Sequence, residues 1–335
     1  MESFSRRIEE LSPEQRTQLI QRLLKKEQRQ TDAPVIRRRE QDAEFYPLSF
    51  AQQRLWFMAQ LQPGNPFYNI SGMLHLEGPL QVTALHAALN EIVRRHEALR
   101  TVFGIRANTP VQVVVPVSHL PLPLVDLSSL PNDQHELFIK QLLRQETLKP
   151  FSFDGEPLLR FTLLRSNQTD HTLLLSMHHI ISDIWSISLF EQELGQLYAA
   201  FHQKTPSPLP ELSIQYIDFA LWQRQWLQGE RLAHLLEQEK LRLAGAPALV
   251  TLPTDRPRPA IQSYQGAIHY FSYPSELAQR LREFCQQEGI TTFMLLMTAF
   301  HTLLHRYTGL EDIVVGSPIA NRTYKEIEGL IGCFV

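Results

Sequence analysis

The sequence has few cysteines, no surplus of positive charge and no long apolar run. Its 335 residues include two cysteines, Cys285 and Cys333, too few for a disulfide framework, so we expect a reducing, cytoplasmic setting. A net charge of -3 gives no electrostatic basis for binding nucleic acid or an anionic membrane. Apolar stretches such as TTFMLLMTAFHTLL are interrupted before they could cross about 30 Å of hydrocarbon, and MESFSRRIEELSPEQ lacks the apolar core of a signal peptide. Neither nucleic acid nor a membrane is therefore an expected partner.

What the sequence does contain is typical of a globular protein with a sizeable core. Hydrophobic residues make up 43% and charged residues 20%, and the length allows two or three domains or one large two-lobed unit. Helical and strand-like patterns are mixed along the chain, and two proline-rich stretches, residues 204–213 and 252–260, interrupt them. We therefore predict an α/β (α+β) fold with two lobes joined by a crossover.

The chain is divided into an N-terminal segment and two lobes. We assign residues 1–44 to a helix and a linker, residues 45–250 to an N-terminal lobe, and residues 251–335 to a partial C-terminal lobe. The first helix is predicted at residues 11–28, where Ser12, Pro13 and Gln15 supply N-terminal signals. The polar stretch that follows is typical of a linker. The segment is either a solvated tail or a docking helix that meets another polypeptide.

Hydrophobic periodicity places the remaining elements. Residues 81–97 carry apolar side chains at helical spacing, whereas the apolar run in residues 171–178 has the length of a strand. Further helices are predicted at 49–61, 132–149, 186–203, 214–244, 275–288 and 291–308. Further strands are predicted at 98–104, 111–116, 158–165, 266–272 and 311–316.

The stretch SMHHIISDIWS, residues 176–186, brings two histidines and an aspartate together at a predicted strand end. Neighbouring side chains on a strand point to opposite faces, so His178 and His179 should diverge, with Asp183 beyond the strand. A metal site is disfavoured, because it needs three or four converging ligands and no H-x-E or C-x-x-C partner stands nearby. The motif alone leaves open a buried histidine pair with an ion-paired aspartate, or a histidine that acts as a general base.

Four further stretches accompany this motif in order along the chain. They are LSFAQQRLWFMAQL (48–61), RRHEALRTVF (94–103), YIDFALWQR (216–224) and IGCFV (331–335), with MHHIISDIWS (177–186) between the second and third. Together with LPTDRPRP and GSPIANR, they resemble the ordered core motifs of the condensation domains of nonribosomal peptide synthetases. The resemblance covers about residues 46–335. The residues of RHEALRTVF and SDIWS are similar to those found in the subtype that accepts an L-configured donor.

The resemblance implies a fold and a reaction. Family members fold as two chloramphenicol-acetyltransferase-like lobes in a V, and a tunnel between them admits two phosphopantetheine arms. One arm carries an upstream acyl or peptidyl thioester, and the amine of a downstream aminoacyl thioester attacks it to form an amide. The implied partners are the upstream and downstream peptidyl carrier proteins, with an adenylation domain downstream. The domain needs no cofactor of its own, because the phosphopantetheine belongs to the carriers.

The resemblance also implies roles for individual residues. His179 would be catalytic, accepting a hydrogen bond or a proton from the attacking amine, and His178 would be structural. Asp183 would be a structural carboxylate paired with an arginine, for which Arg322 is the candidate. Weaker candidates for the tunnel or the motif are Ser49, Gln52, Arg54, Ile184, Trp185 and Ser186. A larger set of arginine and tryptophan side chains could line the tunnel, but we expect most of them to pack or pair: Arg54, Trp56, Arg95, Arg100, Trp222 and Arg224.

Two departures from the family pattern lead to alternative expectations. Ile184 stands where the family has glycine, which would be unfavourable at positive φ and could narrow the tunnel. The chain ends at Val335 inside the last motif, so we expect an incomplete second lobe, in a fragment of a longer synthetase or a truncated gene. The alternatives are a catalytically impaired remnant that binds carrier proteins, a starter-type domain that takes a fatty acyl group, and an acyltransferase that uses coenzyme A.

Overall fold

The computed structural model describes residues 35–117, 119–153, 155–257, 259–260, 266 and 269–335. The chain divides into two compact units: the described residues up to Arg231 together with Ile319–Val335, and Leu232–Pro318. It therefore leaves the first unit and returns to it, which places Arg322 in the same unit as the histidine motif. The lobe boundary predicted at residue 250 stays a prediction. The helix predicted at residues 11–28 lies outside the described residues.

The strands described in the first unit form two sheets. They are β1 (Tyr46–Pro47), β2 (Asn69–Glu77), β3 (Thr101–Arg106), β4 (Thr109–Val114), β5 (Leu124–Asp126), β6 (Leu159–Arg165) and β7 (Asp170–His178). One sheet is antiparallel in the order β1-β4-β3, and the other has the order β2-β7-β6-β5, in which β5 and β6 run parallel. Asn69 lies opposite His178, and Leu159 opposite Met177. Strands β2 and β6 therefore flank the strand that ends at the histidine motif.

Helices make up most of the remaining regular structure in the described residues. Those described are α1 (Phe50–Leu61), α2 (Val82–Arg95), α3 (Asn132–Leu148), α4 (Ile184–His202), α5 (Tyr216–Trp226), α6 (Gly229–Arg242), α7 (Ser275–Gln287), α8 (Thr292–Thr308) and α9 (Lys325–Glu328). Short 3-10 turns lie at Pro66–Tyr68, Glu97–Arg100 and His179–Ile181. The mixture of helices and strands predicted from the sequence is confirmed. No helix in the described part of the chain is long and apolar enough to cross a membrane.

The core explains why β7 is apolar along its whole length. Leu173, Leu175 and Met177 pack in the main cluster with buried residues of α2 and α4, whereas Leu174 packs on the other face with a second cluster. Both faces of the strand are covered, so alternation with polar residues is lost. Burying each such leucine contributes about 1.5–3 kcal/mol relative to exposure. The strand is therefore a rigid base for the histidines at its end.

Residues 35–44, predicted as part of a linker, pack within the first unit. Ile36 is 3% exposed and lies in a cluster with residues of α5 and of the last segment of the chain. Arg39 donates to Glu97 at 2.9 Å and to Asp218 at 3.3 Å. The charges that predict a solvated linker are therefore partly used in buried ion pairs.

Three predicted elements differ from the structure. The helix predicted at 214–244 is two helices, α5 and α6, because Gly229 at the break has φ +56°, outside the helical range. No strand forms over 311–316 or in the described part of 266–272, since neither stretch has a neighbouring described strand to supply ladder hydrogen bonds. Conversely, β2 and β5 lie outside the predicted strands.

Candidate active site

Strand β7 ends at His178, and His179 begins the 3-10 turn that follows, so the two histidines have different surroundings. His178 is 3% exposed, and the rings of Tyr68, Phe151 and Phe153 surround it, the closest with a centroid distance of 5.0 Å. Its Nδ1 accepts from the backbone N–H of Ile180 at 3.1 Å. Burial, and then the charge of the neighbouring His179, lower the pKa of His178 from 6.5 to about 3. His178 is therefore a neutral residue that holds the turn.

This buried histidine predicts a dependence of stability on pH. Between pH 6.5 and 3, His178 is protonated in the unfolded chain but stays neutral in the folded protein. The free energy of unfolding therefore decreases as the pH falls through this window. The slope is at most about 1.4 kcal/mol per pH unit. His178→Asn keeps an acceptor for the N–H of Ile180 but does not titrate in this range. We expect the variant to be less stable at pH 7 and its stability to fall less steeply in acid, as measured by urea unfolding. Parallel curves would contradict this role.

His179 is only partly buried, and its hydrogen bonding fixes its tautomer. Its Nδ1 lies 2.8 Å from the carbonyl oxygen of Ser182, which can only accept, so Nδ1 carries the proton. In the neutral form of the ring, Nε2 is therefore the acceptor, and no described residue bonds to it. Cys333 Sγ lies 3.8 Å from Nδ1. Burial raises the pKa of the Cys333 thiol to about 12, so it is protonated and a poor nucleophile near neutral pH.

Asp183 is fully buried and its oxygens are used by four donors. Oδ1 accepts from Ser186 N at 2.8 Å, from Ser186 Oγ at 2.7 Å and from Arg322 Nη2 at 3.1 Å, and Oδ2 accepts from Phe334 N at 3.2 Å. The first of these bonds caps α4. The ion pair predicted between Asp183 and Arg322 is thus present. A carboxylate bound in this way holds structure and is not placed to exchange protons with a substrate.

Arg322 joins the histidine motif to the last segment of the chain. Its side chain is 1% exposed, and Nη1 donates to the carbonyl oxygens of Ile327 and Leu330, both at 2.6 Å. The guanidinium carbon lies 4.1 Å from the centroid of the Phe334 ring. Burial lowers the pKa of Arg322, while Asp183 opposes that shift. The hydrogen bonds and the ion pair of the guanidinium therefore offset the cost of removing its charge from water.

Ile184 and the two residues after it begin α4. Ile184 is the first helical residue and is not among those with positive φ, so a glycine is not required by the backbone. Its side chain is 80% exposed. Trp185 Nε1 donates to the carbonyl oxygen of Glu328 at 2.9 Å, and Ser186 is buried beside Asp183. The departure from the family glycine thus introduces no left-handed strain.

The other predicted residues hold elements together. Ser49 and Gln52 form the capping box of α1, and Gln52 Nε2 also donates to Gln112 Oε1 at 3.1 Å. Further contacts are Arg54 Nη2 to Val335 O at 3.2 Å, Arg95 to Glu193, Arg100 Nη1 to Val115 O at 2.8 Å, Trp222 stacked on Trp226, and Arg224 Nε to Leu48 O at 2.7 Å. Most of these arginine and tryptophan side chains pack or pair, as predicted.

Two residues that sequence reasoning missed lie beside this site. Tyr216 is buried, accepts from Ser49 Oγ at 2.8 Å and donates to the carbonyl oxygen of Cys333. The sequence feature that could have indicated Tyr216 is its place as the first residue of the motif YIDFALWQR. Cys333, against the ring of His179, had no signal beyond its place in IGCFV. Among the described residues, no group of three or more His, Cys, Asp or Glu side chains could hold a metal ion.

Comparison with known proteins gives one consistent result. A family model described as "Condensation domain" matches residues 42–335. Chondramide synthase cmdD of Chondromyces crocatus is 43% identical over 293 residues, 88% of this chain and 8% of that protein. Phosphinothricin tripeptide synthetase PhsC of Streptomyces viridochromogenes is 42% identical over 334 residues, 100% of this chain and 31% of that protein. The chain therefore spans a minor part of each of these relatives.

Solved structures share the fold. The X-domain from teicoplanin biosynthesis matches with a TM-score of 0.78 and 27% identity, over 90% of this chain and 66% of that chain. The first condensation domain of the calcium-dependent antibiotic synthetase, in complex with a substrate analogue, matches with a TM-score of 0.75 and 21% identity, over 87% of this chain and 68% of that one.

Proposed function

The chain belongs to the condensation-domain family, and on this premise we propose that it forms an amide bond between two carrier-bound substrates. The amine of a downstream aminoacyl thioester attacks the carbonyl carbon of an upstream acyl or peptidyl thioester. A C–N bond forms, the C–S bond breaks, and the amine proton ends on the departing phosphopantetheine thiol. The lengthened chain remains on the downstream carrier.

The observation that supports this function best is the state of His179. Its Nδ1–H is committed to Ser182 O, so Nε2 can accept a hydrogen bond or a proton from the attacking amine. The reaction needs no strong base, since an α-amine has a pKa of about 8 and is partly neutral in the cell. Holding amine and carbonyl together can supply about 7–11 kcal/mol, and a positioned base adds about 10²–10⁴-fold.

The partners follow from the reaction. We propose an upstream and a downstream peptidyl carrier protein as the direct partners, with an adenylation domain that loads the downstream carrier. The phosphopantetheine would arrive on the carriers, and this domain would supply only side chains. Carrier proteins and adenylation domains work in the cytoplasm, so the same location is proposed for this chain.

Two substitutions at His179 test the catalytic role and its type. The amide of asparagine stands close to Nδ1 and can still donate to Ser182 O, but it removes Nε2. Glutamine places an amide near Nε2 that accepts a hydrogen bond but takes up no proton. We expect His179→Asn to lower kcat by about 10²–10⁴-fold. His179→Gln retains a larger part of the rate if hydrogen bonding suffices, and falls to the same level if proton transfer is needed.

The measurement is amide formation by the full chain. The donor carrier bears an N-acetyl-L-aminoacyl thioester or a medium-chain fatty acyl thioester, and the acceptor carrier bears an L-aminoacyl thioester. His86→Ala is the matched control, because His86 is also half-buried and bonds one backbone carbonyl, Leu120 O at 2.7 Å. Full activity in His179→Asn would disprove the catalytic role. Carrier binding without any amide in the parent would indicate the remnant, and exclusive use of the fatty acyl donor would indicate the starter type.

Ile184→Gly tests whether the departure from the family motif impairs turnover. The backbone at Ile184 is helical and its side chain is exposed, so the substitution changes stability by less than about 1 kcal/mol. We expect kcat to stay within about twofold of the parent, because the substitution leaves the helical backbone at residue 184 and the hydrogen bond of His179 to Ser182 O in place. A large gain in kcat would instead show that the isoleucine side chain obstructs the substrate arm.

A further inference from the structure

Residues 331–334 have no regular secondary structure, yet side chains from elsewhere hold the backbone of each of them. Ile331 N donates to His96 Nδ1 at 3.3 Å, Gly332 N donates to Ser186 Oγ at 3.1 Å, Cys333 O accepts from Tyr216, and Phe334 N donates to Asp183 at 3.2 Å. All of these partner side chains are buried. The position of segment 331–334 is therefore set by side chains rather than by a helix or a sheet ladder.

His96 reaches this segment from the C-terminal end of α2. The peptide N–H of Ile331 is a donor, so Nδ1 of His96 accepts and Nε2 carries the proton. Nε2 donates to Glu193 Oε2 on α4 at 3.1 Å. Glu193 also accepts from Arg95 Nε at 3.2 Å and from Arg95 Nη2 at 3.3 Å. The buried carboxylate therefore fixes both the tautomer and the orientation of the His96 ring.

The other end of this chain of contacts is His179. Cys333 Sγ lies 3.8 Å from His179 Nδ1. Ile331 and Cys333 pack in the same core cluster as Ile180 and Ile181, the two residues that follow His179. A shift of segment 331–334 would thus move Cys333 Sγ, which lies beside the His179 ring, and interiors transmit such shifts because they are closely packed.

We propose that His96 is a positioning residue for His179, which acts through segment 331–334 and is itself oriented by Glu193. This inference rests on the proposed function, since it concerns the rate of the same reaction. It assigns to the histidine of RRHEALRTVF an effect on kcat, which packing of α2 alone would not give.

The variants His96→Asn and His96→Gln separate the two hydrogen bonds of the ring. The amide of asparagine stands near Nδ1 and can accept from Ile331 N, whereas glutamine reaches the Nε2 position and can donate to Glu193. We expect His96→Gln to lower kcat about tenfold with KM changed by less than about twofold, because misplacing a reacting group costs rate. His96→Asn keeps most of the parent kcat. Thermal stability follows the opposite order, because His96→Asn loses the bond to a buried carboxylate.

The measurement is kcat and KM for amide formation by the full chain, with the thermal midpoint of each variant. A kcat order that follows stability, or an unchanged kcat in both variants, overturns the proposal. Cys333→Ala is a second variant that leaves the bonds of His96 intact and removes the sulfur beside His179. We expect it to lower kcat severalfold at unchanged KM. An unchanged kcat in Cys333→Ala also overturns the proposal, even if His96→Gln does not fold.

The outcome is separable from the test of the function itself. If His179→Asn retains full activity, the proposed function of His179 fails. If His179→Asn is inactive while the His96 and Cys333 variants keep the parent kcat, the function stands and the positioning role of His96 is wrong.

Discussion

Asp183→Ala is expected to lower the free energy of unfolding by about 3–5 kcal/mol, because it leaves a buried arginine without its counter-charge. Arg322 is 1% exposed and Asp183 is fully buried, so the guanidinium loses its counter-charge away from bulk solvent. The substitution also removes the cap of α4 at Ser186 and the acceptor of Phe334 N. The three losses act on one cluster, so they should not add as independent terms. Urea unfolding at neutral pH measures the change.

The double variant Asp183→Leu with Arg322→Leu separates the unpaired charge from the other losses. Replacing both members of a buried pair by apolar residues is often far less costly than removing one. We therefore expect the double variant to be more stable than Asp183→Ala alone. Asp126→Ala is the control for an exposed pair, since Asp126 and Arg165 are 43% and 41% exposed, and it should change stability much less. A double variant less stable than Asp183→Ala would show that the pair itself stabilises the fold.

The sequence predicts much of the fold where one pattern covers a whole element. Helices α2 and α4 and strands β6 and β7 lie within a few residues of their predicted bounds, because periodicity or a continuous apolar run extends through each. Strand β2 was not predicted, although Leu74 and Leu76 alternate with the exposed Met73, His75 and Glu77. It lies at the edge of its sheet and is only half-buried, so its pattern is weak.

Long-range pairing marks the limit of what the sequence predicts about the site. Periodicity places His178, His179 and Asp183 around a strand end, but it carries no information about Arg322, which lies 139 residues after Asp183. That partner came from the resemblance to the family. Segment 331–334 shows the same limit, because its position depends on side chains of His96, Ser186, Tyr216 and Asp183, and such contacts leave no periodic pattern.

The composition of residues 35–44 does not indicate that their charged side chains form ion pairs with distant residues. Residues 35–44 are polar enough to predict a linker, yet Arg39 pairs with Glu97 and Asp218, and Ile36 is buried. A charge run is solvated only if no acceptor lies within reach, and the acceptors of Arg39 come from residues 58 and 179 positions further along the chain. No local pattern could have indicated them.

Gly332→Ala is expected to destabilise the protein by more than the usual 1–3 kcal/mol of an overpacked core position, about 3 kcal/mol or more. A Cβ at residue 332 would lie 2.0 Å from Cδ2 of the Tyr216 ring, far inside van der Waals contact. The ring has no free direction of movement, because its hydroxyl bonds Ser49 Oγ and Cys333 O, and Phe334 packs against it with centroids 5.0 Å apart. Gly329→Ala is the matched control, since no heavy atom lies within 4 Å of its Cβ and its φ is -89°.

The clash should reach the active site as well as the core. Gly332 N donates to Ser186 Oγ, and Ser186 Oγ donates to Asp183, so a displaced Gly332 pulls on the cap of α4 and on the contact of Cys333 with His179. We therefore expect Gly332→Ala to lose amide formation even below its thermal midpoint, whereas Gly329→Ala retains both stability and rate. Equal stability of the two variants in urea unfolding would show that Tyr216 can move, and that the Tyr216 ring does not require glycine at residue 332.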